Sequence, residues 1–340
     1  MVTHIRAQLP VDGSGPAPEV CRICKNARGN ATYLFREMMI GYRDEFEYFQ
    51  CGDCECLQIS KIPRDMRKYY PKEYHSFQPG RRRAGVMAWL RMERNRCLVF
   101  RGGLGSLVNR WFPNEPMRSL HDARARRQMR ILDVGSGAGA LLCDLSELGF
   151  RRLLGVDRYV AQEIEYPNGV RIVKGTIYDL AGEWDLVMFH HSFEHLHDPL
   201  ETLVQVSRLL SSGGVCLIRT PTVTSFAWDH YRTDWVQADA PRHLFLHSTK
   251  SMAVLAGRAG FSVVGVVYDS NAFQFWGSEQ YRAGIPLLSA RSHATNSRAS
   301  LFSPTEISGF QRRAVQLNRE GRGDAAAYYL RKDDCRELPE

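Results

Sequence analysis

The sequence predicts an α/β protein: a doubly wound, mostly parallel sheet of seven strands behind a small cysteine-bearing module. Three observations lead there. From Arg130 to Tyr268, short buried-strand signals alternate with helical apolar patterns, the signature of right-handed crossovers and a sheet covered on both faces. A glycine-rich turn follows the first of those strands. Two CxxC pairs stand ahead of the whole run.

The 340 residues, 44% of them apolar, suffice for one large domain with additions or for two domains. Residues 1–16 are polar and rich in Gly and Pro, and are expected to be disordered. No apolar block of a signal peptide and no run of about eighteen apolar residues occurs, so the expected location is cytoplasmic. Nine cysteines in such a chain argue against a disulfide framework. Over residues 17–80, Cys21 and Cys24 form one CxxC pair and Cys51 and Cys54 a second, with 26 residues between them. Two chelating thiolate pairs at that spacing predict a structural zinc site that folds a segment too small for its own core. Cys56 lies nearby, as a spare thiol or a replacement ligand.

Residues 81–129 are expected to form an arginine-rich helical bridge. Between Arg81 and Arg130 thirteen arginines face only Glu93, Glu115 and Asp122. A confined basic segment suits an anionic surface or substrate, or is simply a solvated helix face. Its Trp89, Trp111 and Phe112 allow peripheral contact with the inner membrane, although packing on the following domain is favoured.

The sheet domain is placed at residues 130–270. RILDV from Arg130 reads as its first strand, and AGALLCDLSELGF as the helix after the glycine turn. LLGVD ending at Asp157, VRIVKG from Val170, WDLVMFH from Trp184 and VCLIRT from Val215 are further strands, with a helix from Pro199 before the last. A helix from Thr249 and a strand from Phe261 follow. Residues 271–340 are expected to add a final strand, read at AFQFWGSEQY, and a peripheral helical extension.

Ligands in such sheets sit at the carboxyl ends of the strands. There, Asp133, Gly135, Gly137 and Gly139 form DxGxGxG at a strand-to-helix junction, where glycine permits close backbone approach to a ligand. An acidic residue before the first glycine repels a pyrophosphate and suits a cationic amino-acid or sulfonium ligand, which favours S-adenosylmethionine over NAD. Asp157, ending the next strand, stands where a carboxylate accepts from both ribose hydroxyls. His190, His191, His195 and His197 lack the spacing of a helix-borne zinc pair. His190 and His191 are set beside the cofactor, and His195 is read as a structural hydrogen-bonding residue.

The run from Arg130 to Tyr268 resembles the class I methyltransferases, in particular the bacterial group whose fourth strand leads into Glu-His-x-x-Asp-Pro, here Glu194, His195, Asp198 and Pro199. The resemblance implies a Rossmann-like methyltransferase sheet and S-adenosylmethionine as cofactor. It places Gly135, Gly137 and Gly139 against the methionine part, Asp157 on the ribose, and the turn of Gly175, Thr176 and Ile177 beside the adenine. Ser136 and Arg158 join that cofactor-binding set. With four cysteines in front, the chain looks like the bacterial sugar methyltransferases, which implies a nucleotide- or lipid-linked saccharide acceptor in polysaccharide biosynthesis. The tyrosine-rich YYPKEYHSF follows the cysteines as in that group, making Tyr74 a substrate candidate.

Methyl transfer from a sulfonium needs alignment of nucleophile, methyl and sulfur, and often the loss of one proton. The polar segment WVQADAPRHLFLHS after the fifth strand offers His243 as general base, with Arg242 and Asp239 on the acceptor. Two other function classes stay open: an RNA methyltransferase whose arginines track phosphates, and a non-catalytic S-adenosylmethionine-binding protein. Nucleic acid is disfavoured, because HHSFEH replaces the Asn-Pro-Pro-aromatic element of many base-methylating enzymes and no base-stacking platform interleaves the arginines.

Overall fold

Two sheets organise the computed structural model, which describes residues 19–70, 85–102 and 114–333. The terminus expected to be disordered and the candidate Tyr74 lie outside the described residues. In the small sheet, β1 (Ala31–Arg36), β2 (Glu45–Gln50) and β3 (Leu57–Ile59) pair antiparallel in sequence order. Its fourth strand arrives from almost two hundred residues downstream, where Phe245–Leu246 pairs with β3. The cysteine module is thus knitted into the rest of the chain.

The large sheet begins with β4 (Arg130–Val134), β5 (Arg152–Asp157), a two-residue β6 (Ile164–Glu165), β7 (Arg171–Lys174), β8 (Trp184–His190) and β9 (Leu210–Pro221). With β10 assigned to Phe245–Leu246, the remaining strands are β11 (Phe261–Tyr268) and β12 (Ala325–Lys332). The order is β11-β12-β9-β8-β4-β5-β7-β6, parallel through the centre, with β12 antiparallel between β9 and β11. Alternate residues supply two cores, one on each face. Val187, Phe189, Cys216 and Ile218 belong to one, Leu186, Met188, Val215 and Leu217 to the other.

Two helices, α1 (Val86–Phe100) and α2 (Glu115–Asp122), come from the arginine-rich segment. They pack beneath α3 (Ala140–Glu147), the helix that the glycine turn opens. Arg91 donates to Glu147 at 2.9 Å and the buried Asn95 to Asp144 at 3.2 Å, so this bridge is docked on the sheet domain. The opposite face carries α4 (Pro199–Leu209), which the Asp198 side chain caps, the short α5 (Phe226–Tyr231) and α6 (Thr249–Arg258). No described helix is long and apolar enough to cross a membrane.

The stretch AFQFWGSEQY is not the final strand. It forms α7 (Phe273–Arg282), with Gln274, Gly277, Ser278 and Tyr281 buried at helical spacing. A further helix, α8 (Pro304–Arg319), precedes β12, the strand that completes the sheet.

Candidate functional site

A cavity of about 680 Å³ opens at the carboxyl ends of β4, β5, β7 and β8, where a sheet of this kind binds its ligands. One side of it is shaped by the glycine turn. Gly135, Gly137 and Gly139 hold φ of 77°, 53° and 76°, the left-handed region that side chains avoid. A Cβ on Gly135 would collide with Ser192, whose hydroxyl donates to the Val134 carbonyl at 2.6 Å. The turn is therefore wedged against the loop after β8. Asp157 pins it from the next strand: its carboxylate accepts the Gly137 N–H at 2.9 Å and the Tyr159 N–H at 2.7 Å while still lining the cavity.

Of the residues expected to bind the cofactor, Gly135, Asp157, Arg158, Thr176, Ile177, His190 and His191 line this cavity. Asp133, Ser136, Gly137 and Gly139 are not among the lining residues. Gly139 caps α3 and lies against Ile172 of β7, so it sets the loop's closeness to the sheet rather than facing a ligand. Asp133 is buried, and burial together with the charge of Asp157 pushes its carboxyl up to about 7. Thr176 spends its hydroxyl and its N–H on Asp179, both at 2.8 Å, which leaves Ile177 as the apolar floor of that turn.

The other side of the cavity holds unpaired polar atoms. Both ring nitrogens of His190 are buried without a partner, and burial with the charges of Arg219 and His191 pushes the imidazole down to about 3. Beside it on the neighbouring strand, Arg219 is ion-paired with one oxygen of Asp269, while Asp269 Oδ1 and Gln274 Oε1 are buried with no donor.

Deeper, Glu194 is fully buried. Thr220 donates to its Oε2 at 3.0 Å, and His191 Nδ1 lies 3.3 Å from its Oε1. Burial alone would raise this carboxyl, yet the His191 hydrogen bond and the surrounding histidine charges hold it well below the usual range. His243 reaches the same place: its Nδ1 is 2.7 Å from the Gln237 carbonyl, so that nitrogen carries the hydrogen and Nε2 keeps a lone pair. His195 Nδ1 contacts the Arg242 carbonyl at 2.8 Å and the Tyr70 hydroxyl at 3.2 Å, in keeping with its reading as a hydrogen-bonding residue.

Arg242 requires a correction. It does not face an acceptor. Its guanidinium is fully buried between Asp239, to which Nε donates at 2.8 Å, Glu37 at 3.4 Å and the Tyr69 carbonyl at 3.0 Å. Residues 242 and 243 are adjacent but turn to opposite sides of the loop, so His243 lines the cavity and Arg242 clasps the cysteine module. Asp239 lines the cavity while serving that clasp.

Cys21, Cys24, Cys51 and Cys54 converge, with their sulfurs all within 4.8 Å of one another and the Cys21–Cys54 and Cys24–Cys51 pairs at 3.5 Å. Sulfurs about 2.3 Å from a tetrahedral zinc stand about 3.8 Å apart, so the cluster fits the ion. The surroundings fit thiolates too: Gln58 donates to Cys21 at 3.1 Å and the Asp53 N–H to Cys51 at 3.4 Å. The hydrogen bond from Cys54 pulls the Cys21 thiol down to about 4 while pushing Cys54 up as the donor. Cys56 is a buried, separate thiol, outside the four.

Sequence reasoning missed Arg219, Asp269 and Gln274, and within YYPKEYHSF it chose Tyr74 where Tyr70 reaches the cavity. Arg219 alone left a signal, a charge inside the apolar strand VCLIRT that burial must pair. The others reach the cavity only through tertiary placement.

A family model described as a methyltransferase domain matches residues 106–266. The ubiquinone biosynthesis O-methyltransferase of Maricaulis maris is 30% identical over 169 residues, 43% of this chain and 65% of that protein. The protein of the same name from Azorhizobium caulinodans is 31% identical over 171 residues, 44% of this chain and 67% of its own length. The matched stretch thus spans about two thirds of the length of these relatives. Among solved structures, an S-adenosylmethionine-dependent methyltransferase from Mesorhizobium loti overlaps with a TM-score of 0.40 at 15% identity, covering 63% of this chain and 97% of that one. A cyclopropane synthase from Mycobacterium tuberculosis gives 0.38 at 15% identity, covering 60% and 78%. The family model, the relatives and the glycine turn opening onto a carboxyl-end cavity agree: the chain belongs to the class I S-adenosylmethionine-dependent methyltransferases.

Proposed function

We propose that the chain transfers the methyl group of S-adenosylmethionine to a hydroxyl-rich small acceptor, a nucleotide- or lipid-linked saccharide of polysaccharide biosynthesis. The observation that carries this reading is the set of buried acceptors without donors across the cavity: Asp269 Oδ1, Gln274 Oε1 and a nitrogen of His190. Each such orphan costs about 1–3 kcal/mol, and a polyhydroxylated ligand supplies the missing donors. Oxygen is the favoured methylated atom, because the relatives are named as O-methyltransferases. Their names also support a second reading, a phenolic hydroxyl as acceptor.

Asp157 holds the cofactor's ribose, and Gly135, Arg158, Thr176, Ile177 and His191 border it. When bound, S-adenosylmethionine supplies an electrophilic methyl group. His243, its Nε2 lone pair turned from the Gln237 carbonyl, handles the acceptor's proton. The four cysteines hold one structural zinc. A lipid-linked acceptor also gives a use to the exposed Val86, Met87 and Trp89 on the arginine-bearing α1.

The test is to incubate the chain with methyl-labelled S-adenosylmethionine and, separately, nucleotide-linked sugars, lipid-linked saccharides, catechols and total RNA. Label is expected in a saccharide fraction. Label confined to catechols transfers the reading to phenolic acceptors, and label confined to RNA overturns both.

A further inference from the structure

We propose that Glu194, His195 and His243 bind a divalent transition-metal cation at the acceptor end of the cavity, apart from the cysteine cluster. The inference deepens the methyltransferase reading and rests on it for the cation's use, though not for its binding.

The argument begins with where the hydrogens are. A backbone carbonyl accepts and never donates. The contacts of His243 Nδ1 with the Gln237 carbonyl and of His195 Nδ1 with the Arg242 carbonyl therefore fix a hydrogen on both nitrogens. Each neutral ring keeps one bare lone pair, at Nε2. For His243 that lone pair faces two carboxylates, with Glu194 Oε1 at 3.9 Å and Asp239 Oδ2 at 3.7 Å. A proton on Nε2 reaches neither, since both oxygens lie beyond hydrogen-bond distance.

A metal ion spans such gaps. Ligands about 2.1 Å from an ion stand about 3.0–3.5 Å from each other, and one donor atom from each of Glu194, His195 and His243 lies within 4.8 Å of the other two. A small inward movement completes the geometry. The supports of a metal site are already present: both imidazoles donate away to carbonyls, which orients them, and the Thr220 hydroxyl holds Glu194 Oε2 at 3.0 Å. Two imidazoles and one carboxylate form a donor set for first-row divalent metals, with positions left open. His195 and His243 line the cavity and Glu194 lies buried behind it, so those positions face the acceptor. A hydroxyl ligating the ion loses its proton more readily, and that proton leaves to water through the open cavity; with the ion bound, His243 serves as its ligand in place of acting as the base. Spacing along the sequence hides the set, because His243 arrives from beyond β9.

The test uses the full chain with zinc loaded at its cysteines, titrated with Mn²⁺ alone and followed by electron paramagnetic resonance. One further equivalent is expected to bind, at least tenfold more weakly in Glu194→Gln and His243→Gln. S-adenosylmethionine affinity within about twofold of the parent certifies that a variant is folded, and His195→Gln provides the same readout if the buried Glu194→Gln chain does not fold. No bound Mn²⁺ in the parent, or undiminished binding in the folded variants, overturns the proposal. Mn²⁺ binding without any change in methyl transfer overturns the cation's role in the reaction but leaves the methyltransferase reading standing. Failure to bind S-adenosylmethionine, with the Mn²⁺ site intact, refutes that reading instead.

Discussion

Arg242→Gln removes the guanidinium that closes a buried triad, and the cost follows from what is left behind. In the parent, Arg242 and Glu37 are fully buried and the Asp239 side chain is 14% exposed. Truncation leaves two carboxylates without their cation and the Tyr69 carbonyl without its donor. Breaking a buried pair from one side costs about 3–5 kcal/mol. Glu37 retains three backbone donors, from Ile40, Gly41 and Tyr42 at 2.8–2.9 Å, which points to the lower end, about 3 kcal/mol. Urea unfolding should show the loss as a lower midpoint at unchanged slope. The deficit should narrow as pH falls. Against the upward push of burial, the Arg242 charge holds Asp239 below the usual carboxylate range, and without that charge Asp239 takes up a proton sooner. If Arg242 instead gripped an acceptor anion, the variant would keep its stability and raise KM. A stability change within about 0.5 kcal/mol, the range of an ordinary surface substitution, refutes the clasp.

Two further predictions concern the cofactor and the cysteines. Asp133 has a folded value of about 7 against an ordinary 3.8, so the folded chain binds the extra proton and stability falls as pH rises between those values, levelling above 7. A cationic ligand in the adjoining cavity, held by the turn that follows Asp133, favours the ionised form. S-adenosylmethionine affinity should therefore rise with pH to about 7 and then flatten, and equilibrium binding to Asp133→Asn showing the same slope would sink this assignment. The parent is expected to carry roughly one zinc per chain under reducing conditions, and Cys51→Ser should abolish it. It should also lower methyl transfer at least tenfold, with cofactor affinity changed by less than about threefold. Unchanged zinc content or unchanged transfer counts against the coupling.

The centre of the large sheet is legible in the sequence because strands buried on both faces must be apolar throughout, as RILDV and WDLVMFH are. The end of the chain is not. AAAYYLRK has alanine, the strongest helix former, at three of its first positions, yet the slot between β9 and β11 accepts only a strand. There Ala326, Tyr328 and Leu330 enter one core while Ala327 and Tyr329 enter the other. AFQFWGSEQY errs in the opposite sense, its aromatics suggesting strand where the buried positions recur at helical spacing. In the site, the glycine turn and Asp157 are readable because backbone chemistry restricts what can stand there. Arg242 misleads because loop neighbours share no face. Asp269 and Gln274 have no local signal at all, being ordinary polar residues until the sheet edge and α7 bring them to one cavity.

The placement of the cysteine module explains why a metal held there should act on transfer rather than on cofactor binding. Its ties converge on one segment. β3 pairs with Phe245–Leu246, the Tyr48 hydroxyl donates to the His243 carbonyl at 2.9 Å, Ser248 donates to the Cys54 carbonyl at 2.6 Å, and Glu37 holds Arg242. These contacts flank His243 on both sides, so the imidazole is positioned by a sheet whose own integrity depends on four cysteines. The glycine turn, Asp157 and Ile177 are held instead by β4, β5 and β7 of the large sheet. Removing a metal from the four cysteines is therefore expected to loosen the acceptor side while the cofactor side keeps its supports, which makes the two halves of the cavity separable by experiment.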